Sequence, residues 1–349
     1  MEANKMRRMK LRMCMCLVIA FITMHQTMAA NELVEKRKEI SGEFKNVKAN
    51  ETLRIYNQFC VVTFNYWDKD EILLKAEVVG KAETEEDAQQ VIDEINVDFL
   101  YENSTYHLKM TDTKGTNKTR TMTNMWTLFL PKNKLNLDIE CGFCTYFIGD
   151  YGKDIKLRAK FSQVKIGDVS SAKVDAVSEF GDFTVGKAKT LNLDAAFCPV
   201  TLSGRIEQVA LKAKHCNGIT LASVGEFTVS EVQFSDLNVK ELSKSLKIDK
   251  AQHSKITVSN CSNKLDFVTV KGEFAPVNLT IPEDLPFMYD LSSNFGQVSF
   301  SPTKEKTCKN TLIERVNNRT HLTGACGKES QAKKTTITVE TTFAGINIE

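Results

Sequence analysis

Apolar and polar residues alternate along most of this chain in a frame that recurs about every 18 residues. At Val174 the frame reads apolar Val174 and Ala176, small Ser178, then Phe180-Gly181, then apolar Phe183 and Val185. It returns with Leu191, Leu193, Ala195, Phe197-Cys198, Val200 and Leu202. As a template, positions 1 and 3 are apolar, 5 is small, 7 aromatic, 8 small (mostly Gly and Cys), and 10 and 12 apolar. Starts at Leu137, Ile155, Val174, Leu191 and Val268 fit it throughout; starts at Val209, Phe227 and Leu246 fit in their first halves and slip by one residue in their second. Period-two alternation specifies strand. A unit this short cannot bury its own apolar face and has to stack on copies of itself. The pattern therefore predicts an all-β fold, a single-stranded β-helix or solenoid with two short strands per turn.

The frame also occurs outside the regular stretch, at Leu53, Tyr289 and Ile337. Ile72 to Val78 alternate as a further strand, and two runs around 102–105 predict a hairpin. One accessory helix is expected: Thr84 as N-cap, acids at Glu85, Glu86 and Asp87, and a stripe of Ala88, Val91, Ile92 and Ile95 place it over Glu85 to Ile95. The organisation that follows is a targeting segment at 1–30, N-terminal strands with the helix at 31–136, regular repeats at 137–300, and a polar loop with closing strands at 301–349. Residues 31–46 read as a polar lead-in that orders near Phe44.

The first 30 residues have the form of an export signal. Lys5, Arg7, Arg8, Lys10 and Arg12 precede an apolar run of about 12 residues, and small Ala29 and Ala30 follow. That run is too short to cross about 30 Å of hydrocarbon, so the mature chain is expected to carry no transmembrane segment. Cys14 and Cys16 come too early in it for a lipid anchor. The sequence has 46 basic and 44 acidic side chains. Removing 1–30 takes away five basic residues and Glu2 and leaves 41 and 43. A near-neutral chain without a basic block has no electrostatic footprint for nucleic acid.

Several segments together resemble one family: Phe180-Gly181-Asp182-Phe183-Thr184-Val185, the turn Tyr66-Trp67-Asp68-Lys69-Asp70-Glu71, the helix, the entry Leu128-Phe129-Leu130-Pro131, and the close Phe343-Ala344-Gly345-Ile346-Asn347-Ile348. They are similar to the bacterial "putative adhesin" β-strand-repeat family, exported proteins of Bacteroides-type bacteria classed as of unknown function. The resemblance covers most of the chain after Phe44. It implies a repeat fold and an adhesin-like role, and it carries no catalytic residues. Cysteine at position 8 of four units, Cys60, Cys144, Cys198 and Cys216, departs from the usual glycine.

Eight cysteines follow residue 30, an even number that suits disulfides in an exported chain. Cys308 and Cys326 lie in one polar segment and form the favoured pair. Cys198 and Cys216 hold the same position in consecutive units, so a strand spacing of about 4.8 Å brings them within disulfide reach; a pair of small buried residues is the alternative. Cys141-Gly142-Phe143-Cys144 has redox spacing but crosses a strand turn, and a structural role is favoured. No histidine has zinc-ligand spacing to these cysteines, and His215, at position 7, is expected to be packed and hydrogen-bonded. No catalytic motif, metal set or cofactor cradle is present in the sequence. Asn50, Asn103, Asn117, Asn260, Asn278 and Asn318 head glycosylation sequons, which in a bacterial chain are chance matches.

The reading is an exported periplasmic or surface protein, a non-enzymatic adhesin-like binding or structural module whose partner is a glycan or an envelope protein. A carbohydrate-active β-helix enzyme and a periplasmic sensing component are the alternatives.

Overall fold

The computed structural model describes residues 33–112, 121–327 and 335–349. The targeting segment and the Asn117 sequon lie outside them. The described residues are nearly all β: 25 strands form one continuous hydrogen-bonded sheet.

The repeat frame is the register of this sheet. Strands β8 (Asn136–Gly142), β10 (Ile155–Lys160), β11 (Gln163–Glu179), β12 (Asp182–Ala196), β13 (Val200–Lys214), β14 (Ile219–Gln233), β16 (Leu242–Gln252) and β18 (Phe267–Glu273) lie side by side in parallel. The residues in line are Leu137, Ile155, Val174, Leu191, Val209, Phe227, Leu246 and Val268. They are the eight template starts. All are at most 3% exposed, and full burial of such a side chain contributes about 1.5–3 kcal/mol. A second ladder carries positions 10 and 12 through Tyr146, Val164, Phe183, Val200, Ile219, Leu237, Ile256 and Val277. Both ladders face one core.

The slipped units contain extra residues. Ser230 has no partner in β13, where Leu211 and Lys212 pair with Val229 and Glu231. Ile248 and Ala251 of β16 pair with Val270 and Gly272, two intervening residues against one. In the Val209 unit the extra residue sits at the corner, where Gly218 takes φ +91°. Such bulges keep the inward residues in register on both sides of the insertion.

At both ends the spatial order departs from the chain order. Strands β2 (Thr52–Gln58) and β3 (Cys60–Trp67) lie between β8 and β9 (Thr145–Ile148) on one side and β6 (Thr105–Asp112) and β7 (Thr121–Pro131) on the other. Beyond these, β5 (Ile95–Glu102) pairs antiparallel with β6, and β4 (Glu71–Ala82) pairs antiparallel with β7 and with β1 (Val34–Lys45). At the other end β24 (Thr335–Thr342) and β25 (Ile346–Ile348) thread between β18 with β19 (Val277–Leu279) and β20 (Phe287–Asn294) with β21 (Val298–Phe300).

Three expectations change here. Residues 34–45 form a strand of 12 residues instead of a loose lead-in. The segment after Ser301, read as a polar loop, contains a short helix and two antiparallel strands, β22 (Cys308–Val316) and β23 (Arg319–Cys326). Strand β22 buries neither face, so it has no alternation to betray it. And among the described residues there are two helices, not one. Helix α1 (Glu85–Asp93) is the expected one; Thr84 Oγ1 accepts from the Asp87 amide at 3.1 Å, and Ala88, Val91 and Ile92 are buried. Helix α2 (Pro302–Thr307) starts at the cap Ser301 and buries Lys304, whose Nζ donates to the Pro282 carbonyl at 2.5 Å.

Candidate functional site

Position 7 of the units forms the most unusual surface of the molecule. Phe59, Phe143, Phe161, Phe180, Phe197, His215, Phe234, His253, Phe274, Phe343 and Phe295 stand in one row, each in the left-handed region with φ between 48° and 58°. Neighbouring ring centroids are 4.7–5.0 Å apart with interplanar angles of 4–15°. Ten such intervals extend the row over about 48 Å. The spacing is that of the strands beneath. A bulky residue held left-handed costs about 1–2 kcal/mol, and each aromatic contact returns about 0.5–1.5 kcal/mol. Stacking thus offsets the strain without exceeding it by much.

The rings nevertheless face water. The nine phenylalanines are 41–59% exposed. Because each ring covers the faces of its neighbours, what the row presents is a ridge of apolar edges. His215 is part of it: the imidazole is exposed and stacked between Phe197 and Phe234, which replaces the packed, hydrogen-bonded histidine expected from the sequence. The left-handed corner turns position 7 outward whatever its identity.

The next residue does the reverse. Position 8 is buried wherever it carries a side chain, and it is not only Gly and Cys but also Ser162, Ser235, Ser254, Ala275 and Ala344. Its polar members share one hydrogen-bonding role. Ser162 Oγ donates to the Lys160 carbonyl at 2.7 Å and accepts from the Cys144 amide at 3.0 Å. Ser235 Oγ donates to Gln233 and accepts from the Cys216 amide, and Ser254 Oγ donates to Gln252 and accepts from the Ser235 amide. Cys144 Sγ does the same with the Gly142 carbonyl and the Cys60 amide. At the corner a small donor–acceptor side chain accepts from a position-8 amide of the neighbouring unit and adds a second donor to a carbonyl that already accepts from that unit's position-7 amide, as with His215 and Gln233, in keeping with the need of buried polar groups for partners.

This accounts for the cysteines. Cys198 and Cys216 are adjacent, and no bond joins their sulfurs in this structure. In-register parallel stacking aims both Cβ–Sγ bonds the same way, whereas a disulfide needs a dihedral near 90° across the pair. Their sulfurs donate to the Ser178 and Lys214 carbonyls instead, each at 3.5 Å. Cys141 and Cys144 are also free and buried. Burial pushes the Cys60 thiol far above its ordinary range and the Cys261 thiol up to about 12, which disfavours a thiolate at those two sites, whereas hydrogen bonds from Cys141 and Cys60 lower the Cys144 thiol and one from Cys198 lowers Cys216. Cys308 and Cys326 face each other across β22 and β23, with their Cα atoms 3.9 Å apart.

Beside the aromatic ridge lies a polar face made of the outward residues of β2, β8, β10, β11, β12, β13 and β14. It holds a groove of about 400 Å³ lined by Lys156, Arg158, Asp175, Asn192, Asp194 and Lys212. A second depression of about 240 Å³ contains Tyr56, Gln58, Glu140 and Arg158 and reaches the edges of Phe143 and Phe161. The charges are largely paired across units. Arg54 Nη2 lies 2.6 Å from Asp138 Oδ2, Lys212 Nζ 3.2 Å from Asp194, and Asn192 Nδ2 donates to Asp175 at 2.6 Å. Elsewhere on the surface, hydrogen bonds from Lys214 and Lys250 hold the Glu231 carboxyl below its usual range, and one from Lys244 does so for Glu226. Among the described residues no group of three or more His, Cys, Asp or Glu could hold a metal ion, and no helix is long and apolar enough to cross a membrane.

No family model matches the chain, and no curated protein matches it. Solved structures similar to it include proteins from Clostridium, Bacteroides and Parabacteroides. A "putative cell adhesion protein" from Clostridium sporogenes is 12% identical, covers 90% of this chain and 99% of its own, and has a TM-score of 0.22. A "putative adhesin" from Bacteroides fragilis is 10% identical over 89% of this chain and 97% of its own, with a TM-score of 0.33. Another "putative adhesin", from Parabacteroides distasonis, is 12% identical over 70% of this chain and 93% of its own, with a TM-score of 0.40.

Proposed function

We propose that the chain is an exported β-solenoid that works as a non-enzymatic binding module, holding a glycan or another envelope component on its aromatic ridge and the polar face beside it. The observation that carries this reading is the ridge itself. A soluble monomer rarely leaves a long contiguous apolar feature in water unless something binds there, and here nine phenylalanines are 41–59% exposed in one row. The parallel in-register ladders support the solenoid, and the N-terminal segment supports export.

A non-enzymatic role is favoured by the acids. A general acid needs a carboxyl pushed up by burial or a like charge. Among the described residues Glu35, Glu51, Asp168, Glu226 and Glu231 are instead held down by hydrogen-bond donors. Binding of the purified chain to an array of envelope glycans and to solubilised envelope protein tests the reading. Lys212→Ala and Phe161→Ala are expected to weaken capture; a chain that captures nothing from either source refutes it. The Cys308–Cys326 bond is proposed to form in the native compartment, and free thiols at both sites in protein recovered from there would refute that.

A further inference from the structure

At its Phe295 end the ridge has a ring face, and not only an edge, beside a pocket. Phe295 ends the row: Phe343 stacks on one side of it, and no ring stacks on the other. It is the most exposed phenylalanine of the row, at 59%. The turn between β22 and β23 takes the place of a further unit, held there by the Phe295 amide donating to the Asn318 carbonyl at 2.7 Å. Between ring and turn is a pocket of about 460 Å³ lined by Phe295, Gln297, Arg315, Asn318, Arg319 and Thr320.

The chemistry of this pocket is one-sided. Neither Arg315 nor Arg319 has a carboxylate partner among the described residues; Arg319 Nε reaches only Ser292 Oγ, at 3.3 Å. The nearby acids Asp290 and Glu314 lie against His321, at 2.8 and 3.7 Å. Two guanidinium groups beside an open aromatic face therefore carry uncompensated positive charge. A guanidinium matches a carboxylate through two parallel hydrogen bonds. The negative face of a phenyl ring attracts the slightly positive C–H edge of a pyranose. Asn318, Gln297 and Thr320 supply the donors and acceptors that hydroxyl groups need.

We propose that this pocket binds an acidic sugar, a uronic acid residue at the end of a glycan. The pyranose lies on Phe295, its carboxylate meets Arg315 and Arg319, and its hydroxyls meet Asn318 and Gln297. This rests on the binding-module reading and narrows it to one ligand class and one end of the ridge. It also sets a direction: glycan ends dock at the Phe295 end, while the rings between the two ends of the row offer only edges.

Isothermal titration of the full chain with a disaccharide ending in glucuronic acid, and with the same disaccharide ending in glucose, tests it. The acidic form is expected to bind at least tenfold more tightly. Phe295→Ala and the double variant Arg315→Gln with Arg319→Gln are each expected to weaken it tenfold or more. Lys45→Ala, in β1 and outside the ridge, leaves this affinity unchanged. Arg315 and Arg319 are exposed, so their exchange does not threaten the fold. Equal binding of the two sugars, undiminished binding in either variant, or tighter binding of adenosine monophosphate or benzoate at the same residues overturns the proposal. A chain that ignores glucuronate yet captures glycans or envelope protein through Lys212 and Phe161 refutes this site and leaves the wider reading standing.

Discussion

Positions 7 and 8 are neighbours in the chain and opposites in the structure. Position 7 is large, left-handed and half in water; position 8 is small and buried wherever it carries a side chain, and where it is Ser or Cys it hydrogen-bonds to the backbone. One column is bound by sterics and polar satisfaction and tolerates almost no change. The other is held by ring stacking that barely repays its backbone strain, so its uniform Phe content is more than the fold requires. A structural column and an interaction surface can thus be separated by a single peptide bond.

Substitutions widen or close that contrast. The largest effect is expected at Gly181, where an added Cβ would lie 1.8 Å from the Ser162 carbonyl oxygen. Gly181→Val should cost about 3 kcal/mol or more in chemical denaturation, since backbone is what has to move. Ser235→Ala comes next. It leaves the Cys216 amide without its partner, while the Gln233 carbonyl keeps the His215 amide, at about 1–3 kcal/mol. Ser235→Cys should recover much of this loss, and equal losses in both variants would break the hydrogen-bonding account of the column.

On the other side of the contrast, Phe234→Asn should cost no more than about 1 kcal/mol. Asparagine tolerates the left-handed corner, which offsets the two lost ring contacts. A thermal or denaturant loss above about 3 kcal/mol would make the row structural and remove its claim to be a surface for a partner. The smallest effect is expected at Glu231, whose carboxyl accepts from Lys214 and Lys250 at 2.8 and 3.0 Å. A carboxyl with a lowered folded pKa adds stability above its unfolded value and loses it as pH falls through the folded one. Glu231→Gln should therefore flatten stability against pH below about 4.5, by only a few tenths of a kcal/mol because the pair is near the surface.

Much of this was legible. Positions 1, 3 and 5 share one parity and 8, 10 and 12 the other, so the inward face must change over at position 7. That break in parity is the sequence trace of the corner, and it could have exposed the aromatic row: a residue at the switch cannot point inward with either half. The hydrogen-bonding role of position 8 had a weaker trace, the interchange of Ser and Cys along one column. Strand β22 had none, because both of its faces are exposed and periodicity records only burial.

By itself the sequence determined the all-β class, the unit length and the register of the eight regular units, because local alternation and a fixed period are properties of single strands and their immediate neighbours. The tertiary structure decided what depends on distant segments meeting. It threaded Thr335–Thr342 between Phe267–Glu273 and Phe287–Asn294, kept the sulfurs of Cys198 and Cys216 unjoined, and left Phe295 as one end of the row. None of these follows from a repeat, because a repeat is the same at every unit and an end is defined only by what comes to lie beside it.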